Sequence, residues 1–380
     1  MPTVVQIIAG PEIGGQEILL KEILLNRKSR KIKHILIVLH TLNNDYLRSL
    51  VESGVNVFIL RIPYVKFVWL RVILYFWCIG KIYRIVRDKP CIIHTHNFLY
   101  SALPLFVLCY FVSTVKHVHT VHTGGIHYQD SNIGARLKRR IEQFLYKLNE
   151  TELIAVSFGV AQRLRKLFPG TNITAIPNGI VPSHDVRCFN DLSVISINEV
   201  KEKQFRGVYV GRLVKGKNHS TIIFAVSELK RRRYKVHVDF FGVGPLRSVL
   251  VDLANRCGVE EMISFHGHVD NVRTRLHLYD FGVFPSEYEG FSLALLELLN
   301  AGLPTAVSDV VTIREMGFCG DEVLWFSTFD HVELAECVEY FLNKDFETKE
   351  LSLRGLRFSQ KFDLNLSIMK IEQFYLNVGL

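Results

Sequence analysis

The chain has 380 residues, 48% of them hydrophobic, and a mean hydropathy of +0.18, too much for one ordinary core and enough for two domains. Its net charge of +9 is uneven: residues 1–180 hold 23 Lys+Arg against 10 Asp+Glu, and the remainder 23 against 27. No helix-turn-helix, zinc-finger or RNP pattern accompanies the basic half. That argues against nucleic acid as a partner and for an anionic membrane surface or an anionic lipid-linked substrate.

Residues 2–9 run directly into an apolar stretch without a basic leader or a small-residue cleavage site, so they read as a first strand and not as a signal peptide. From there short apolar runs alternate with longer amphipathic ones, the pattern of βαβ units around parallel sheets. The first series of expected strands is 4–9, 35–39, 55–60, 91–95, 116–121, 153–156 and 173–176. After a polar stretch at 181–204, read as an interdomain linker, the second series is 205–210, 235–242, 263–267, 281–285 and 304–307. The seven cysteines form no CxxC pair, so neither a disulfide framework nor a zinc site is expected, and a reducing cytoplasmic setting fits.

Three segments bear on membranes. Residues 64–84 mix aromatic and aliphatic side chains with Lys66, Arg71, Lys81 and Arg84. Residues 98–115 carry no charge and reach the length of a membrane span. They also contain Pro104 and lie between two expected parallel strands, so a buried crossover helix is expected there. Residues 133–149 set Arg136, Lys138, Arg139 and Arg140 beside Ile133, Leu137, Ile141 and Phe144. Such a helix can lie on anionic lipid or simply present a solvated face.

The chemistry-bearing residues sit at strand ends. Gly14 and Gly15 lie between the first strand and an apolar helix, where backbone can approach a phosphate. His122 ends a strand at the edge where open α/β sheets bind ligands; the alternative is a satisfied structural histidine, the reading favoured for His94, His96, His117, His119 and His127. Gly211-Arg212-Leu213 through Lys217 brings two cations off one strand end, enough to neutralise a diphosphate without a metal. Phe241-Gly242-Val243-Gly244 and Gly267-His268 follow two further strands, where a flat base could meet the backbone. The most informative block is Pro285-Ser286-Glu287-Tyr288-Glu289-Gly290-Phe291-Ser292-Leu293, followed by Glu297. A turn opening a helix there suits a phosphate, with Glu297 expected two turns into the helix.

Taken in order, Gly14-Gly15-x-Glu17, His122, Pro177-Asn178-Gly179, Gly211-Arg212-Leu213 with Lys217, Phe241-Gly242-x-Gly244-Pro245, Gly267-x-Val269, the Glu289–Glu297 block and Ala301-Gly302-x-Pro304 resemble the family-4 retaining glycosyltransferases. The resemblance implies an α/β GT-B fold: two Rossmann-like domains with parallel sheets facing across a cleft. These would be an acceptor-side domain over 1–180 and a donor-binding domain over 205–361, with a terminal helix at about 362–380 packing back on the first. It implies that Arg212 and Lys217 bind the donor diphosphate and that Glu297 holds the ribose. Gly267–His268 and the Gly242–Val243 turn would lie by the base. Glu289 with Gly290, Phe291, Ser292 and Leu293 would hold sugar and diphosphate, while His122, Gly14 and Gly15 close from the first domain. Glu289, His122, Arg212 and Lys217 are the implied catalytic group.

The implied reaction is transfer of a sugar from a nucleotide-sugar, UDP-linked, to a lipid-linked or other saccharide acceptor in cell-surface polysaccharide synthesis, at the cytoplasmic face of the inner membrane. Arg136, Lys138, Arg139 and Arg140 would meet the anionic membrane or acceptor. The chain has no DxD motif, so no metal or other cofactor is expected. A nucleotide-sugar epimerase, another GT-B enzyme or a non-catalytic nucleotide-sugar-binding partner are the alternatives. Two departures stand out: Val310 and Val311 occupy positions where the family has glycines, and Val181 stands where it often has an acid.

Overall fold

The structure is a computed structural model that describes residues 3–8, 14–29, 32–40, 44–62, 68–87, 90–96, 112, 114–122, 133–182 and 204–378. It divides into two compact units, Met1–Gly179 with Leu364–Leu380, and Ile180–Asp363. The first unit runs β1 (Thr3–Ile8), α1 (Gly15–Leu25), β2 (Lys33–Val38), α2 (Asn44–Glu52), β3 (Asn56–Ile59), α3 (Val68–Val86), β4 (Cys91–Thr95), β5 (Val115–Val121), α4 (Ile133–Leu148), β6 (Glu152–Ala155), α5 (Phe158–Leu167) and β7 (Ile173–Ala175). The second runs β8 (Phe205–Val210), α6 (His219–Arg231), β9 (Val236–Phe241), α7 (Arg247–Arg256), β10 (Ile263–Gly267), β11 (Phe281–Phe284), α8 (Leu293–Asn300), β12 (Thr305–Ser308), α9 (Val311–Arg314), β13 (Leu324–Phe326), α10 (His331–Asn343) and α11 (Asp345–Gln360). The last helix, α12 (Leu364–Asn377), belongs to the first unit.

Each sheet is parallel throughout. The first has the order β3-β2-β1-β4-β5-β6-β7 and the second β10-β9-β8-β11-β12-β13. Both reverse direction beside their first strand, so the crevice where ligands bind in open α/β sheets lies between β1 and β4 and between β8 and β11. The central strands are largely buried on both faces, while β3 at the edge of the first sheet is mostly exposed. In the first unit Val5, Ile7, Ile93 and Val115 pack with Ile82 and Val86 of α3 on one face. On the other, Val4, Ile92, Val118 and Ile154 pack with Phe374 and Tyr375 of α12. In the second, Tyr209, Val238, Phe240, Phe281 and Val283 form a core with α6 and α10.

The helix starts have local causes. The Ser157 and Ser292 hydroxyls accept from the Val160 and Leu295 amides at 3.1 and 3.2 Å, and the Asp330 carboxylate accepts from Val332 and Glu333. These are N-caps that satisfy donors the helix itself leaves open.

All twelve expected strands form, with ends shifted by at most two residues; β13, three residues long at the sheet edge, was not anticipated. The buried helix expected over 98–115 lies outside the described residues except at Val112, Thr114 and Val115, the last of which opens β5. Most of the expected linker, 183–203, lies outside them as well. Among the described residues no helix is long and apolar enough to cross a membrane.

Candidate active site

In the second unit the loops leaving β8 and β11 flank the reversal of strand order. Two bonds tie them together: the Glu287 amide donates to the Gly216 carbonyl at 2.9 Å, and the Lys217 ammonium pairs with the Glu289 carboxylate. The two residues expected to hold diphosphate and sugar therefore hold each other. Glu289 is fixed further by its amide, which donates to the buried Thr312 hydroxyl at 3.1 Å. Arg212 is exposed, and its guanidinium has no hydrogen-bond or ion-pair partner among the described residues. Its backbone is firmly placed: His219 Nε2 and the Tyr209 hydroxyl both reach the Arg212 carbonyl, at 3.2 and 3.5 Å. Burial holds His219 at about 4, and burial with the Glu289 charge keeps Tyr209 protonated. The two side chains that fix the Arg212 backbone are therefore uncharged at neutral pH.

Helix α8 starts at Leu293, so Glu297 lies about one turn into it and not two. Its chain precursor Phe291 is buried, its ring 5.4 Å from that of Phe362, which leaves only the Phe291 backbone to serve a ligand. Ser292 caps the helix with its hydroxyl. Val310 is the N-cap of α9, and Val311 behind it is exposed.

The glycines after β9 have a structural reason of their own. A Cβ on Gly242, at φ +148°, would fall 1.9 Å from the Gly211 carbonyl oxygen, and one on Gly244 2.2 Å from that of Leu213. The Gly211 amide bonds Phe241, Leu213 bonds Val243, and Gly242 bonds Gly267. Gly242 is therefore required by three loops laced backbone to backbone, and Val243 contributes its carbonyl to that lacing. Gly267, at φ +73°, has open space at its Cβ position, and the exposed His268 ring pairs with Asp270 at 3.2 Å.

In the first unit, Gly14 is the N-cap of α1 and Gly15 its first residue. The Gly14 amide donates to Glu17 Oε2 at 3.0 Å, so the acid of the Gly-Gly-x-Glu motif closes the helix start. His122, one residue beyond β5, bonds His96 at 3.2 Å. Burial and neighbouring His119 push His122 down to about 3. His94, His117 and His119 are buried and satisfied, as structural histidines should be: His94 by Tyr375 and Thr120, His117 by Thr95 and Thr151, and His119 by Thr95. His127, like Thr123–Gly125, lies outside the described residues. On α4, Arg136 and Arg140 are exposed and Lys138 and Arg139 partly so. Leu137, Ile141, Phe144 and Leu148 form an exposed apolar stripe along the same helix.

Sequence reasoning missed a second cluster, around the buried Asp239. Its carboxylate accepts from Arg206 at 2.7 Å, Tyr279 at 2.9 Å and His266 at 2.8 Å. A buried acid in mid-strand was the available signal.

The model of the glycosyltransferase family 4 matches residues 13–184, and that of the glycosyl transferases group 1 matches residues 194–354. The chain belongs to the family-4 glycosyltransferases. It resembles proteins of several activities. It is 28% identical over 261 residues to a glycogen synthase of Mycobacterium tuberculosis, matching 67% of this chain and 61% of that enzyme's length. It is 21% identical over 311 residues to the capsular polysaccharide biosynthesis glycosyltransferase CapH of Staphylococcus aureus, covering 78% and 80%. The fold matches Anabaena HepE, solved with UDP and glucose, at a TM-score of 0.78 over 98% of each chain and 14% identity. This family-4 glycosyltransferase thus has the GT-B fold.

Proposed function

We propose that this protein is a retaining glycosyltransferase that moves a sugar from a UDP-linked donor to a lipid-linked saccharide in cell-surface polysaccharide synthesis. The observation that carries the reading is the exposed Arg212 guanidinium, without an acidic partner among the described residues, beside Lys217 at the strand-order reversal of the second unit. Cleaving the sugar–phosphate bond leaves negative charge on the diphosphate, and two fixed cations stabilise it where it develops. Glu289 pairs with Lys217 until a donor takes both: its phosphates draw the ammonium, and its sugar hydroxyls bond the carboxylate. Glu297 holds the ribose, and the chemistry calls on no metal. The UDP and glucose in HepE support a UDP-sugar donor, and the name of CapH supports a polysaccharide product.

The apolar stripe of α4, bordered by Arg136 and Arg140, supports peripheral attachment to the cytoplasmic face of the inner membrane. Arg212→Ala and Glu297→Ala should each abolish transfer from a UDP-sugar panel without unfolding the protein; wild-type turnover in either would refute the donor site. Phe144→Glu should lose binding to anionic vesicles and keep UDP affinity.

A further inference from the structure

One face of the first sheet carries a polar row that the donor-site residues alone do not explain. Gln6 on β1, His94 and His96 along and just beyond β4, and Thr120 and His122 along and just beyond β5 are spaced by two, so each strand turns them to the same side. Gln6 stands opposite His94 in the register, and Thr95 opposite His119. Tyr375 of α12 packs over that face among Val4, Ile92 and Val118. The side chains form a continuous chain of hydrogen bonds.

Its proton assignments follow from the orientation of the Gln6 amide, with Nε2 toward Tyr375. Gln6 Nε2 donates to the Tyr375 hydroxyl at 2.9 Å. That hydroxyl has one proton to give, and His94 Nδ1 stands 2.6 Å away. His94 is therefore protonated on Nε2, which donates to Thr120 Oγ1 at 2.7 Å. With its amide nitrogen engaged by Tyr375, Gln6 turns Oε1 to His96 Nε2 at 2.7 Å. A carbonyl oxygen only accepts, so His96 carries its proton on Nε2 and is bare on Nδ1. The group facing that bare nitrogen, at 3.2 Å, is His122 Nε2, which must donate. Burial first, then the neighbouring histidines, hold His94 and His96 well below the usual imidazole range, so neutral rings are the state to which this applies.

We propose that Gln6, His96 and Tyr375 are positioning residues that fix the proton of His122 on Nε2, leaving Nδ1 as a hydrogen-bond acceptor for a hydroxyl of the donor sugar. This rests on reading His122 as a donor-side group. It makes the last helix of the chain part of the site's chemistry: Tyr375, 369 residues from Gln6, orients the amide from which the rest of the chain follows. Losing the tautomer would cost His122 one neutral hydrogen bond, about fivefold in affinity for the sugar.

The test is 15N NMR of the histidine rings in the full-length protein at neutral pH. In wild type His122 should show a pyrrole-type Nε2 and a pyridine-type Nδ1. Gln6→Leu should give mixed tautomers at His96 and His122. With UDP-glucose as the probe, Gln6→Leu should weaken binding about fivefold. A wild-type His122 protonated on Nδ1 would overturn the proposal, and so would a His122 pattern unchanged in Gln6→Leu. The wild-type spectrum decides the first point even if a variant fails to fold. Undiminished UDP-glucose affinity in His122→Ala would overturn the donor-side reading separately, whatever the nitrogen shifts show.

Discussion

Lowering the pH from 7 to 5 should unfold the first unit before the second. Burial depresses His34 and His119 to about 4 and His117 to about 3, while in the unfolded chain each returns to about 6.5. Between those values the unfolded chain binds protons that the folded chain refuses, so stability is present above about pH 6.5 and falls as pH drops. At pH 5 each histidine has withdrawn about 2 kcal/mol, and the three together roughly 5–6, a large share of a domain's usual 5–15 kcal/mol. His94, His96 and His122 are shifted the same way and add to the loss. In the second unit burial depresses one histidine among the described residues, His219, in the same way, to about 4. The assay is urea unfolding at pH 7, 6 and 5, followed by tryptophan fluorescence in a Trp325→Phe background, which leaves Trp69 and Trp77 of the first unit as reporters. A first-unit midpoint that does not move between pH 7 and 5 would refute the reasoning. His34 gives an internal control, because both ring nitrogens are buried without a hydrogen-bond partner among the described residues: His34→Leu should stabilise the unit by about 1–2 kcal/mol at pH 7 and flatten the pH slope by one proton.

Three further outcomes are expected. Gly242→Ala, which sets a Cβ 1.9 Å from the Gly211 carbonyl oxygen, should destabilise the second unit by about 3 kcal/mol, read from Trp325 fluorescence during urea unfolding. Asp239→Ala should cost about 2–3 kcal/mol at pH 7, because Tyr279 and Arg206 lose their acceptor, with the Arg206 share reduced by its exposure. Burial works against the Asp239 charge, but hydrogen bonds from His237, His266, Arg206 and Tyr279 outweigh it and hold the carboxyl well below the usual range. Its contribution is thus complete above about pH 4 and is lost only in strong acid, so the gap between Asp239→Ala and wild type should be the same at pH 7 and pH 5. Lys217→Ala should weaken UDP binding by roughly 10–100-fold, the worth of a charge-assisted hydrogen bond, while Lys215→Ala, on the exposed part of the same loop, should change it less than twofold by calorimetry.

The residues with local causes were legible in the sequence. Parallel strands buried on both faces announce themselves as apolar runs, so twelve strands could be located. The motifs at their ends were already in chain order, and that order was sufficient to indicate the family. Three-residue β13 carries too short a run to stand out, and the start of α8 at Leu293 depended on the Ser292 cap, so the depth of Glu297 was overestimated by a turn. The tertiary structure decided what each end residue touches. Gly242 and Gly244 look alike whether they make room for a base or for the carbonyls of a neighbouring loop, and only the folded sheet edge shows the carbonyls there. Lys217 and Glu289 are 72 residues apart and Gln6 and Tyr375 are 369 apart; periodicity reports a residue's own helix or strand and has no term for such distances. The sequence alone was therefore enough to establish that this chain builds two parallel sheets, the second with cations and carboxylates at its carboxyl edge. Which cation is held by a carboxylate, which is left open, and which nitrogen of His122 is bare depend on side chains that meet only when strand order and the returning last helix are in place.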